Sequence, residues 1–384
     1  MKVLVLGGCG AMGTEVTTDL AATAREFTEI AIADLDLGRA RALADKLGRK
    51  LTAHQVDMND EAGLAKLMSG YDVVANCTTY HFGMNATRAA IAAKKSYLDL
   101  GGLYNTPKQL ALDREAKEAG CTILLGCGAT PGVTNLMARY GASRMDSPRA
   151  VHIAFASFRY IAPSPGLLDT ILDEFGPDTV RTYYQDGSFV EQPPFAGQKR
   201  VDFAEPLGPQ DVYYVPHSET RTMPKFIEGV TRVDVRGCWQ LDIMDRLKFF
   251  LSQGLLSAKP VKLGDVELAP KQFLRAHILA QPKPAEPLLW AFYLNVEVVG
   301  THQGRAVRRV YTSTHPGMDA WGEAATAKMT GIPASIGAQM LAQGKAKAKG
   351  VVAPEACFQP EEFFRELEKR GIRVHETVHE EGYV

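Results

Sequence analysis

Residues Met1–Gly13 read MKVLVLGGCGAMG, and Glu29–Asp36 read EIAIADLD. The first stretch begins as a short aliphatic run, breaks at glycines and continues into Ala, Thr and Leu, so it predicts a strand, a tight turn and a helix over about Gly13 to Arg25. Gly8, Gly10 and Gly13 fit Gly-x-Gly-x-x-Gly. In that pattern the first glycine permits the turn, the second lets a pyrophosphate approach the backbone, and the third brings helix and strand together. Ala11 and Met12 complete the loop, and the free N–H groups of the helix start would face phosphate charge. Asp34 ends the second strand, with Leu35 beside it, where a carboxylate would accept from both ribose hydroxyls and repel a 2′-phosphate. That favours NAD over NADP. The competing reading is a strand–helix turn with an incidental acid.

Outward from this point the same alternation repeats. DVVANCT, SYLDLGG and TILLGCG are strand-like, and each is preceded by an Ala-rich helical stretch. Strand, helix, strand at this spacing predicts an α/β fold, a doubly wound parallel sheet of Rossmann type over residues 1–135. After about Ala150 the alternation acquires period two in RAVHIAFASF and AVRRVYTSTH, with Pro-rich connections between, which predicts an α+β domain over 136–318. From Asp319 helical patterns return through residue 384.

The whole chain narrows the function. Forty-three basic against forty-four acidic residues give a formal charge of -1, so no field draws nucleic acid or an anionic membrane. No window holds the roughly 20 apolar residues of a membrane helix. The apolar N-terminus breaks into glycines too soon for a signal peptide. Six scattered cysteines, without Cys-x-x-Cys, fit a reducing cytoplasm and no structural metal. The expected partner is a small molecule.

Open parallel sheets bind ligand beyond the carboxyl ends of their strands. Asp57 and Met58 end the third strand near the adenine position, although this stretch could equally cap a helix through Asn59 or Asp60. Cys77, Thr78, Thr79, Tyr80 and His81 follow the fourth strand, toward the nicotinamide half. His81 is an acid/base candidate or a surface loop histidine. Asp99, Leu100, Gly101 and Gly102 end the fifth strand, and Thr130, in the GATPGVTN turn, would line the substrate pocket. In YYVPHSETRTMP, read as extended, His217, Glu219 and Arg221 would share one strand face, as a site or as a solvated, self-compensated edge. Arg159 and Tyr160 are candidate anchors for a substrate carboxylate, since Arg pairs with it in bidentate fashion. Arg159 could also be a plain surface cation.

Taken together, the opening glycines, AAIAAKKSYLDLGG, GATPGVTNLMARYGA, PHSETRTMP and the tail TGIPASIGAQML to PEEFFRELEKRGI resemble the saccharopine dehydrogenase-like oxidoreductases. Within that group the chain is most similar to the L-lysine 6-dehydrogenase branch. The resemblance implies that the last helices return to the Rossmann domain, and that the middle domain forms the substrate wall and a dimer interface. It also implies a homodimer or higher homo-oligomer and NAD(P)-dependent chemistry on a C–N bond of an amino acid, by lysine-type amine oxidation or imine reduction. Two alternatives stand beside it: reductive condensation of an amine with a carbonyl compound, as in opine-, saccharopine- or carboxynorspermidine-forming relatives, and a dinucleotide sensor without turnover. His81, Asp99, His217 and Glu219 are the candidate bases, and Arg159 or Arg221 would hold an α-carboxylate. The chain departs from the pattern at Thr130, where saccharopine-forming relatives commonly carry an acid, and at Phe158-Arg159-Tyr160-Ile161, where many have Gly-Gly-Leu-Pro.

Overall fold

The computed structural model describes residues 1–48, 50–101, 105–284, 288–346 and 348–380. Gly102 lies outside them. The first aliphatic run is the strand β1 (Lys2–Leu6), buried at every position after Lys2 because parallel strands are covered on both faces. With β2 (Glu29–Asp34), β3 (Leu51–Gln55), β4 (Val73–Asn76), β5 (Ser96–Asp99) and β6 (Thr122–Leu124) it forms a parallel sheet. The order reverses at β1, which lies between β2 and β4, and a ligand crevice opens at such a switch point. The first helix runs Ala11–Thr23, two residues earlier at each end than the expected span.

The second sheet is mixed and nine-stranded. Its strands in chain order are β7 (Ser147–Phe158), β8 (Arg181–Gln185), β9 (Ser188–Gln192), β10 (Lys199–Asp202), β11 (Pro209–Tyr214) and β12 (Arg232–Cys238), then, beyond a separate hairpin of β13 (Val261–Leu263) and β14 (Val266–Leu268), β15 (Ala291–His302) and β16 (Arg305–Thr314). Long β7 and β15 pair antiparallel at its centre.

The segment after Asp319 holds strands as well as helices. β17 (Gly350–Val352) extends the first sheet beside β6, and β18 (Arg373–Glu380) extends the second beside β16. The helix Ala325–Ala342 lies along the helix Ala11–Thr23, tied by Lys328 to Glu15 at 2.8 Å and Ser335 to Asp19 at 2.6 Å. Arg370 closes on Asp19 at 2.8 Å. The tail therefore braces the helix whose first turn is the glycine loop. No described helix is long and apolar enough to cross a membrane.

One expected element is different. β11 ends at Tyr214, and the helix Glu219–Phe226 begins only a few residues later. Pro216 cannot donate to a ladder, and that ends the strand. His217, Glu219 and Arg221 thus share no strand face: at 100° per residue, positions 219 and 221 point to opposite sides of the helix.

Candidate active site

The glycine loop has the shape of a dinucleotide cradle. Gly7 N donates to Ala33 O at 2.8 Å, fixing the turn against β2. A Cβ on Gly13 would overlap the Gly7 carbonyl oxygen, so this position requires glycine for helix and strand to approach. A Cβ on Gly10 would meet only that same oxygen, at 3.2 Å, and because the N–H groups of Gly7, Cys9 and Gly10 bond within the fold, a phosphate would be met by the first N–H groups of the helix that starts at Ala11. Asp34 Oδ2 accepts from Cys9 N at 3.0 Å, which sets the acid against the loop. Arg39 donates to Cys9 O at 2.7 Å from the other side. Leu35 is exposed next to Asp34.

At the neighbouring strand end, Asp57 holds a local turn by accepting from the backbone and side chain of Asn59, while Asp60 caps the following helix. The Met58 side chain packs in the apolar layer with Val56 and Leu64, and its carbonyl accepts from Asn85 Nδ2 at 2.9 Å. Half-buried Cys77 follows β4. Thr78, Thr79, Tyr80, Leu100 and Gly101 line one cleft beyond β4 and β5.

Asp99 is not free to act as a base there. It is 5% exposed and accepts from Gly126 N at 2.8 Å, Gln109 Nε2 at 2.8 Å, Gly101 N at 2.9 Å and the Tyr97 hydroxyl at 3.2 Å. Its oxygens are spent tying the loops at Gly101 and Gly126 to β5 and to the helix Thr106–Leu110. Burial raises its carboxyl above the ordinary range, against the pull of those donors. His81 is exposed on the turn Tyr80–Phe82, with its ring 4.3 Å from that of Tyr80, and no hydrogen bond or ion pair among the described residues joins it to the network below. The Tyr80 hydroxyl instead reaches Asp173 in the other domain, which Lys271 grips at 2.7 Å.

The chemistry gathers where the turn after β6 meets the helices Pro165–Glu174 and Glu219–Phe226. Gly132 takes φ +137°, and a Cβ there would overlap Gly128, so the turn is held tight. It presents Thr130 Oγ1, which donates to Glu219 Oε1 at 2.6 Å; Thr134 Oγ1 donates to the same oxygen at 3.0 Å. His217 stands between two carboxylates, Nδ1 at 3.4 Å from Glu219 Oε2 and Nε2 at 3.4 Å from Glu174 Oε1, with Phe155 packed 5.2 Å from its ring. Burial disfavours the imidazolium, but the two acids outweigh it and push His217 up to about 10. Glu219, opposed by burial yet held by His217 and Thr130, lies below the usual carboxylate range. Glu174 Oε2 and Glu219 Oε2 are both buried without a hydrogen-bond partner. A second layer backs this one: Asn135 donates to Glu355 Oε2 at 2.8 Å.

His217, Glu219 and Thr130 are therefore brought together, and the solvated-edge reading of that stretch fails because Glu219 is fully buried. Arg159 and Arg221 do not join as anchors. The Arg159 guanidinium is 2% exposed and donates to the carbonyls of Tyr160, Ile161 and Leu167 at 2.9–3.1 Å, so it braces its own loop. Tyr160 is half-buried against the core. Arg221 points away, stacked 3.6 Å over Phe189. Sequence reasoning missed Glu174 and Glu355. For Glu174 there was a signal: Asp173 and Glu174 close a helix at its C-terminus, where the dipole disfavours acids, so their placement asks for a local cation. Among the described residues no group of His, Cys, Asp and Glu could hold a metal.

Comparison with known proteins gives a consistent pattern. Residues 3–124 match the profile described as the saccharopine dehydrogenase NADP binding domain, and residues 128–372 match the saccharopine dehydrogenase C-terminal domain. The chain is 25% identical over 399 residues to a carboxyaminopropylagmatine dehydrogenase from Synechocystis sp., covering 98% of each chain. It is likewise 25% identical over 423 residues to a carboxynorspermidine synthase from Vibrio alginolyticus, covering 100% of this chain and 98% of the relative. Apo saccharopine dehydrogenase (L-Glu forming) from Saccharomyces cerevisiae superposes with TM-score 0.73 at 19% identity, over 98% of this chain and 99% of that one, a likeness of fold.

Proposed function

The chain belongs to the saccharopine dehydrogenase family and is an NAD(P)-dependent dehydrogenase, and from that premise we propose that it joins an amine to a carbonyl compound and reduces the resulting imine, or runs the reverse. The observation that carries this reading is the buried Glu174–His217–Glu219 row at the domain junction, in which Glu174 Oε2 is left without a partner. A buried carboxylate oxygen left without a donor suits an ammonium substrate, because it holds the cation and takes its proton. The neutral amine then attacks the carbonyl carbon, forming the C–N bond. His217, protonated across the working range, is the acid that gives a proton to the departing hydroxyl as water leaves. When bound, the dinucleotide supplies or accepts the hydride. The glycine loop and Asp34 would hold it.

The names of the full-length relatives support condensation over lysine oxidation, which becomes the second outcome of the assay. Cofactor choice is balanced by two side chains: Asp34 supports NAD, while Arg39 at the loop and the NADP description of the matched profile support NADP. Exposed apolar Leu241, Phe249, Leu263 and Phe273 support a homo-oligomer. The test is nicotinamide absorbance with amine alone, carbonyl alone and both together, using lysine, diamines and agmatine-like amines against keto acids and aldehydes. Consumption of NADH or NADPH only when both substrates are present is expected. Reduction of NAD(P) by lysine alone would replace condensation with lysine oxidation, and no turnover with any pair would overturn the reading.

A further inference from the structure

We propose that Glu355, which reaches the site from the C-terminal tail, is a positioning residue for the Glu219–His217 pair. This rests on the catalytic reading above. Glu355 is 3% exposed in the turn Pro354–Cys357. Its partner Asn135 does two further things: Asn135 Oδ1 accepts from Gly132 N at 2.8 Å, and its amide nitrogen lies 3.3 Å from Thr222 Oγ1. Gly132 belongs to the turn that carries Thr130. Thr222 lies three residues after Glu219, one helical turn along the same face. One amide, anchored on Glu355, thus locks both halves of the Thr130–Glu219 contact.

Glu355 also acts through charge. Its Oε1 is buried without a partner, and no ion pair to it occurs among the described residues. The turn packs on the helices Val133–Ala142 and Glu219–Phe226. Of their charged side chains, Arg139 and Lys225 are exposed, Arg221 stacks on Phe189, and Glu219 is the one whose charge reaches Glu355. Tyr140 packs on Tyr311 and Phe364. Burial, with Glu219 adding, pushes Glu355 up to about 7 despite its hydrogen bonds. It is therefore neutral in mild acid and anionic above neutrality, where its negative charge adds to that of Glu219, the carboxylate that holds the His217 proton.

Glu355→Gln keeps an oxygen for Asn135 and deletes the charge. Below about pH 6 the wild type is also neutral at this position, so the two enzymes should agree in kcat/KM, and toward about pH 10, where His217 itself titrates, the variant should fall behind by about threefold or more as His217 loses its proton earlier. A purely structural defect would lower activity by one factor at every pH, and that flat ratio would overturn the proposal. So would identical profiles. Glu355→Asp, which keeps the charge, should restore the basic limb and serves if the Gln variant does not fold. If the wild type turns over no substrate pair, the catalytic reading fails, and the positioning claim is read from histidine NMR: the His217 titration should move to lower pH in Glu355→Gln, and an unmoved titration would sink it.

Discussion

Thr130 Oγ1 stands 2.6 Å from Glu219 Oε1, and this bond joins the turn after the last strand of the dinucleotide domain to the first turn of a helix in the other domain. The resemblance to saccharopine-forming relatives implies an acid at position 130. Here the acid comes from across the domain junction, and threonine orients it.

Thr130→Val keeps the shape and removes the donor. A hydrogen bond to a charged group is worth about 1.5–3 kcal/mol, and Thr134 retains its own bond to the same oxygen, so kcat/KM should fall about tenfold. The acidic limb of the pH profile should move upward, since Thr130 is among the groups holding Glu219 low. Thr130→Ser should recover most of the loss. Equal activity in the Val and wild-type enzymes would show that the bond does not orient the reacting carboxylate.

His217 gives a stability signature with a definite sign. Its proton is held more tightly in the folded chain, at about 10 against 6.5 for the ordinary group. The stabilisation is therefore complete below the unfolded value and disappears as pH rises through the folded one. The melting-temperature gap between wild type and His217→Gln should be largest near about pH 6 and close toward about pH 10. A gap that widens with pH would mean the imidazole is neutral in the fold.

The parallel sheet and the cradle were legible because they obey local rules: continuous apolar runs, glycines at fixed offsets and an acid at a strand end. The site was half legible. Thr130 was found as a pocket-lining turn residue, and His217 and Glu219 were found as a strand face, because nothing in HSET distinguishes an extended segment from a helix start once Pro216 is overlooked. Glu174 and Glu355 lie far from these residues in sequence and reach them only through tertiary packing. Arg159 misled for a related reason: an Arg in a loop reads as available, and only burial reveals that neighbouring carbonyls have claimed it.

That assignment of Arg159 has its own test. Arg159→Lys keeps a charge but not the planar fork that serves three carbonyls, so it should cost about 1–3 kcal/mol of stability by denaturant titration. KM for the carbonyl substrate should stay within about twofold, since the guanidinium is spent on the backbone. An unchanged stability with KM raised about tenfold would restore Arg159 as a substrate anchor.

Cofactor choice turns on Asp34 and Arg39, which approach Cys9 of the glycine loop through its N–H and its carbonyl oxygen. A carboxylate at the end of β2 attracts a ribose diol and repels a 2′-phosphate, whereas a guanidinium attracts the phosphate. Asp34→Ala should therefore raise KM for NADH about tenfold while leaving KM for NADPH level or lower, and Arg39→Ala should act in the opposite direction. The two variants carry opposite charge changes on one loop, so a general loss of loop structure would weaken both cofactors in both variants. A preference that stays fixed in Asp34→Ala would remove the carboxylate from ribose recognition and leave discrimination to Arg39.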